Sequence, residues 1–182
     1  LVEEALRIAV SRPPDLTIAD IGCGTGAIAI ALATNLPHAI VTAIDISPRA
    51  LELARENMDR QSLTDRITLR EGDLLEPLSG PVDLVTANLP YVMSSELPTL
   101  DPEVRMFEPP VALDGGDDGL DLVRRLVSSV VAYLKPAGVV LLEMDPRQIA
   151  SASNFVAQAL PDAVVRVVND LTGRERVLVV ET

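Results

Sequence analysis

The chain is poor in several of the residues on which common chemistries rely. Its 182 residues hold one cysteine, Cys23, and one histidine, His38. A single thiol excludes an internal disulfide and fits a reducing compartment, so a cytoplasmic location is expected. Within its glycine-rich surroundings Cys23 reads as a small filler rather than a reactive thiol. A single imidazole removes the Ser-His-Asp triad and most zinc arrangements, and no metal site is expected. His38 follows Pro37 in a turn and reads as solvated surface. Tryptophan is absent, and Tyr91, Phe107, Tyr133 and Phe155 are the only aromatics. No apolar run approaches the ~18 residues of a membrane span, and no basic-then-apolar leader opens the chain, so no membrane association is expected. Lysine occurs once, at Lys135, and the net charge is −12. Nucleic-acid binding leaves a basic footprint, so a polyanionic partner is disfavoured. The sequence begins at Leu1 within an amphipathic pattern, and a longer parent chain is expected.

What is present is a 48% hydrophobic chain of a length suited to one domain, residues 1–182. A helical pattern over 1–11 ends at Pro13-Pro14. Apolar runs at 16–21, 39–45, 66–70, 82–87 and 139–143 read as strands, the second nearly all apolar as in a strand buried on both faces. Helical segments fall between them at 27–36, 48–59 and 118–134, and another follows at 148–160. Lys135-Pro136-Ala137-Gly138 is expected to close the third of these. Two further strands, 163–168 and 176–180, are joined by Leu171-Thr172-Gly173-Arg174 as an antiparallel hairpin. This alternation predicts an α/β fold: a doubly wound, mostly parallel seven-stranded sheet with a C-terminal antiparallel strand. Residues 93–117, rich in Pro, Gly and acids, are long for a plain connection and read as a lid or substrate-binding loop.

Chemistry concentrates at the strand ends. Asp20-Ile21-Gly22-Cys23-Gly24-Thr25-Gly26 joins the first strand to a helix, an arrangement that turns free N–H groups and a helix N-terminus toward a ligand. The glycines fall as G-x-G-x-G with Ala27 next, so the dinucleotide fingerprint G-x-G-x-x-G is not met. An acid directly before the loop repels pyrophosphate but suits a cationic amino-acid end, as in S-adenosylmethionine. Asp45 closes the second strand, nineteen residues past Gly26, where an acid accepts from a ribose diol. Asp73 lies just past the third strand, where a carboxylate can accept from an adenine amino group. Asn88-Leu89-Pro90-Tyr91 follows the fourth strand, beside the first. An amide nitrogen is a poor nucleophile because its lone pair is delocalised. The Asn88 side-chain oxygen and the Leu89 carbonyl are placed to accept its two N–H bonds, Pro90 keeps residue 89 extended, and Tyr91 can pack on a planar target. With a sulfonium donor no strong base is required.

These residues together resemble class I S-adenosylmethionine-dependent methyltransferases, and more narrowly the catalytic domain of HemK-type peptide-chain release factor glutamine methyltransferases. The narrower likeness rests on Phe107-Glu108-Pro109-Pro110, Ala112-Leu113, Gly115-Gly116, Asp118-Gly119-Leu120-Asp121, Leu142-Glu143 with Gln148, and Asp170-Leu171 with Gly173-Arg174. The resemblance implies methylation of the glutamine amide in the Gly-Gly-Gln loop of a release factor, using residues 88–91. It also implies that Gly22, Cys23, Gly24, Thr25 and Gly26 hold the methionine part of the cofactor, Asp45 the ribose, and Asp73 with Leu74 the adenine, with Asp20, Ile46 and Asn88 also counted among the cofactor-binding residues. Two features depart from the family. Residue 89 is Leu where the family has Pro, although the acceptor is a backbone carbonyl that either residue supplies. Asn-Leu-Pro-Tyr is also the form found in ribosomal RNA adenine dimethyltransferases, so an adenine amino group or a ribosomal-protein glutamine is the alternative acceptor. Those RNA enzymes tend to be basic. The family's N-terminal helical domain does not occur in these 182 residues.

Overall fold

Seven segments of this chain pair through their backbones into one sheet. The computed structural model describes residues 1–103 and 109–182. Its strands are β1 (Thr17–Ile21), β2 (Ile40–Asp45), β3 (Ile67–Glu71), β4 (Val82–Asn88), β5 (Leu134–Glu143), β6 (Val164–Asn169) and β7 (Glu175–Glu181). They lie in the order β3-β2-β1-β4-β5-β7-β6. β1 to β5 run parallel, and β7 is antiparallel to both of its neighbours. The central strands β1 and β4 are mostly buried, as is β5 from Gly138 to Leu142, whereas β3 and β6 at the edges carry Arg70, Glu71 and Arg166. Apolar runs in the middle and mixed strands outside follow from covering both faces with helices.

Helices α1 (Val2–Ala9), α2 (Ala27–Asn35) and α3 (Pro48–Arg60) cover one face. Ile8, Leu32, Leu51 and Met58 there meet Ile18, Val41, Leu84 and Leu141. Helices α4 (Asp121–Val130) and α5 (Ile149–Ala159) cover the other, where Leu126, Val130, Ile149 and Val156 meet Ala19, Val85, Leu142 and Leu178. The period-2 alternation of the strands sends successive residues to opposite cores. Ser47 caps α3, accepting from the Ala50 N–H at 3.3 Å, and Pro48 takes the first helical position. At the end of the sheet remote from the strand C-termini, Asp83 Oδ2 accepts from Thr17 N, Thr17 Oγ1 and Lys135 Nζ, each at 2.8 Å. The single lysine of the chain is used there. Among the described residues no helix is long and apolar enough to cross a membrane.

Two boundaries differ from the sequence expectation. α4 starts at Asp121 rather than Asp118, because Gly119 takes φ +76° and the Asp118 carboxylate accepts from Leu120 N at 3.1 Å, a local turn that competes with helix. The 135–138 stretch does not separate helix from strand. It belongs to β5, with a register shift between Val82 and Leu84 that accommodates Pro136 and the positive φ of Ala137. The long connection has some structure of its own, with 3-10 turns at Leu97–Thr99 and Pro110–Ala112 and a bridge between Val92 and Asp114. Phe107 and Glu108 of its Phe-Glu-Pro-Pro run lie outside the described residues.

Leu84, 1% exposed in the most central strand, is held by helices and strands that have little room to collapse. Leu84→Ala is expected to lower unfolding free energy by about 2–5 kcal/mol, measured by urea denaturation.

Candidate active site

Strand order reverses between β1 and β4, so the loops leaving their C-terminal ends diverge and open a crevice. Backbone bonds stitch its rim: Cys23 N donates to Ile44 O at 3.0 Å and Gly72 N to Asp45 O at 3.1 Å. The crevice is a cleft of about 350 Å³. Gly22 and Gly24 line it after β1, Asp45, Ile46 and Ser47 after β2, and Gly72, Asp73 and Leu74 after β3. Asn88, Leu89 and Pro90 line it after β4, and Pro109, Val111, Ala112, Leu122 and Arg125 lie across from them.

The glycines have distinct uses. Gly24 has φ +54°, and a Cβ built there meets nothing within 4 Å, so its backbone borders open space. A Cβ on Gly22 (φ +68°) would come within 3.0 Å of Leu89 Cδ2, which is how the loop and the β4 turn pack closely. Asp45 accepts from Gly24 N at 2.8 Å and Ser47 N at 2.9 Å, one bond to each carboxylate oxygen. A lone pair remains on each oxygen for a ligand. Asp73 pairs with Arg125 from α4, an ion pair that sequence spacing gives no means of finding.

Not every residue of the glycine loop reaches the cleft. Asp20, expected beside a cationic ligand group, has no exposed surface. Its Oδ1 accepts from Thr86 Oγ1 at 2.9 Å and its Oδ2 from Ala29 N at 3.1 Å. Burial pushes its carboxyl up to about 7, against the pull of those two hydrogen bonds and with a further push from Asp45. Cys23 is buried, and loss of solvation, with Asp20 and Asp45 nearby, pushes its thiol up to about 12. It is therefore no thiolate nucleophile at neutral pH. Thr25 is exposed and its carbonyl accepts from Asn57 Nδ2 at 3.0 Å, while Gly26 is buried at the N-cap of α2.

The Asn88–Tyr91 turn separates two spaces. Asn88 to Pro90 face the cleft, but Tyr91 lines a second groove of about 720 Å³ together with Glu143, residues of α1 and the β6–β7 connection. Asn88 is opposite Glu143 in the β4–β5 pairing, and its Nδ2 donates to Glu143 Oε1 at 3.4 Å. That bond uses the amide donor and leaves Asn88 Oδ1 as an acceptor. Leu89 is buried and Tyr91 half-buried. The Asp170-to-Arg174 run is a hairpin turn. Asp170 Oδ1 accepts from Thr172 N at 2.8 Å, Thr172 Oγ1 at 2.6 Å and Arg174 N at 3.0 Å, and Leu171 stands exposed at its tip.

Asp20 gives a pH test. Its folded carboxyl titrates near 7 and the unfolded one near its ordinary value of ~4, so between these the folded state keeps a proton that the unfolded state releases. Its contribution to stability therefore falls as pH rises through that window and is level above it. Asp20→Asn is expected to gain stability over wild type at about pH 8 relative to about pH 5, read from urea midpoints at the two pH values.

The comparisons with known proteins agree with this architecture. Residues 4–107 match the family model described as Methyltransferase small domain. A release factor glutamine methyltransferase of Deinococcus radiodurans is 45% identical over 175 residues, covering 96% of this chain and 59% of that protein. One from Geobacter sulfurreducens is 47% identical, covering 79% and 49%. The chain thus spans about half to three fifths of the length of these curated relatives. A crystal structure of a release-factor-specific protein-(glutamine-N5) methyltransferase from Alicyclobacillus acidocaldarius superposes with a TM-score of 0.61 at 26% identity, covering 99% of this chain and 88% of that one. The cleft at the strand-order reversal, the matched family model and these relatives point the same way: the chain belongs to the methyltransferase small domain family.

Proposed function

We propose that this chain is the catalytic part of an enzyme that transfers the methyl group of S-adenosylmethionine to the side-chain amide nitrogen of a glutamine, the one in the Gly-Gly-Gln loop of a peptide-chain release factor. The observation that carries the reading is the two-sided placement of residues 88–91. The cleft with its glycine backbone and two carboxylates lies on one side, and the groove with Tyr91 lies on the other. The names of the relatives supply the acceptor class. A net charge of −12 disfavours nucleic acid as the acceptor. Such a reaction belongs in the compartment where translation terminates, in keeping with a single free thiol.

The cleft fits the cofactor. Open space over Gly24 admits an amino-acid end, the free lone pairs of Asp45 suit a ribose diol, and Asp73 beside the apolar Leu74, Ile46 and Leu122 suits an adenine ring. Asp20, Cys23, Thr25 and Gly26 act from behind as the frame of the loop. Held there, S-adenosylmethionine would supply an activated methyl carbon, with S-adenosylhomocysteine as the product and the displaced amide proton passing to solvent.

The protein's part is to hold the acceptor. Asn88 Oδ1 and the Leu89 carbonyl accept the two N–H bonds of the glutamine amide and aim its nitrogen into the cleft. Glu143 keeps Asn88 in the orientation that offers oxygen rather than nitrogen. Tyr91 packs on the entering side chain from the groove side. Fixing two reactants in this way is worth up to ~7–11 kcal/mol of barrier in favourable cases. The two carbonyl oxygens also favour the tetrahedral nitrogen that develops as the lone pair leaves conjugation.

Labelled-methyl transfer by the full-length parent chain is expected on release factor, and neither on a factor whose loop glutamine is alanine nor on ribosomal RNA. Asn88→Ala is expected to cut that transfer by about 10²-fold or more while cofactor affinity, measured by calorimetry, stays unchanged. Gly24→Val places a branched side chain at φ +54° over the open cleft, and cofactor affinity is expected to fall by at least about tenfold, or ~1.4 kcal/mol. Unchanged affinity would remove the glycine loop from the cofactor site.

A further inference from the structure

The turn that carries the acceptor site is fastened by a residue outside it. Beyond Pro90 the chain lies against the 113–119 loop: Val92 N donates to Leu113 O at 2.9 Å and Gly115 N to Val92 O at 2.8 Å. The approach is close enough that a Cβ on Gly115 would lie 2.7 Å from Pro90 O, and one on Gly119 would lie 2.2 Å from Tyr91 O. Into this junction comes Gln148, from the 3-10 turn Pro146–Gln148 after β5, only 7% exposed. Its Nε2 donates to Tyr91 O at 2.7 Å and to Asp118 O at 3.1 Å. One carboxamide therefore ties together the β4 turn, the loop before α4 and the turn after β5. Its orientation is fixed, because the reverse rotamer would set Oε1 against two carbonyl oxygens. Arg147 beside it binds Glu96 through two bonds of 2.7 and 3.1 Å, so the same short turn grips the β4 loop twice.

We propose that Gln148 is a positioning residue for the acceptor amide, acting through the Tyr91 carbonyl on the Leu89 carbonyl; this rests on the functional reading above. The physical link is Pro90. Its ring fixes its own φ and restricts residue 89 to extended backbone, so few free rotations separate the anchored carbonyl of Tyr91 from that of Leu89. Anchoring one end of so stiff a segment sets the direction of the other. Gln148 does not line the cofactor cleft. Its effect falls on the methyl acceptor and not on cofactor binding.

The test uses the full-length parent chain with Gln148→Met, which keeps side-chain length and removes both donors. The kcat for methyl transfer to release factor is expected to fall about tenfold or more, with the cofactor Kd within about twofold of wild type. Amide exchange over residues 88–92, measured without substrate, is expected to quicken. Gln148→Asn keeps the carboxamide but retracts it by one carbon, and serves with the same expected split should the methionine variant fail to fold. A wild-type kcat overturns the role of Gln148 and leaves the functional reading standing. A loss of cofactor affinity and thermal stability matching the loss of kcat marks a purely structural residue and also overturns it. Absence of transfer by the unsubstituted parent chain overturns the functional reading, and the proposal with it.

Discussion

The carboxyl of Asp20 joins the three elements that create the site. It sits at zero exposure in β1, accepts the Thr86 hydroxyl from β4 across the strand-order reversal, and accepts the Ala29 N–H inside the first turn of α2. The glycine loop is the segment between those attachments. Its path is fixed because both of its ends are tied to one side chain. A buried acid is an expensive choice of tie, since burial disfavours its charged form, and its rise toward neutrality is the measure of that cost. A carboxyl can accept from a hydroxyl and a backbone N–H together at two separate oxygens, which no apolar residue of similar size can do.

From that tie the rest of the site is assembled by packing of backbone on backbone. Gly22 lets Leu89 lie against the loop, and Gly115 and Gly119 let residues 90 and 91 lie against the connection before α4. At each point a Cβ would meet an atom at or inside normal contact. Backbone surfaces so close need their carbonyls and N–H groups paired. Gln148 and the short bridge at Val92 meet part of that need. The result is a closely packed partition between two spaces, with a cleft holding two carboxylates and the glycine backbone on one side and a groove holding Tyr91 on the other. Close packing around the acceptor turn is what the proposed methylation of an amide calls for, since the nitrogen is a poor nucleophile and depends on being aimed.

The terminal hairpin shows how a run with a specific look can be structural. Asp170 and Gly173 belong to a run that carries the family likeness and also reads as a hairpin connection, and in the fold they make that turn: Asp170 gathers two backbone N–H groups and a hydroxyl, and Gly173 takes φ +84°. That turn places β7 between β5 and β6 and completes the sheet. The edge of the second groove is formed there, with Leu171 exposed at the tip.

Strand positions apart from the start of β5, the parallel order implied by alternation, and the residues at the ends of β1, β2, β3 and β4 were legible in the sequence, because each depends on local pattern: apolar runs of strand length, glycines where φ must be positive, a Ser-Pro helix start. Asp45 and Asp73 could be placed at the cleft for the same reason, since a residue at a parallel strand's C-terminal end has one place to be. Local pattern did not decide which loop residues face outward. Asp20, Cys23 and Thr25 differ from Gly22 and Gly24 in facing away from the cleft, and that follows from how α2 docks on the sheet. Nor did it give Arg125 beside Asp73, Glu143 beside Asn88, or Gln148 beneath Tyr91. Those pairs lie 52, 55 and 57 residues apart. Composition and spacing carry the conformational preferences of short segments, whereas contacts between distant segments exist only once the sheet has set their distance and direction.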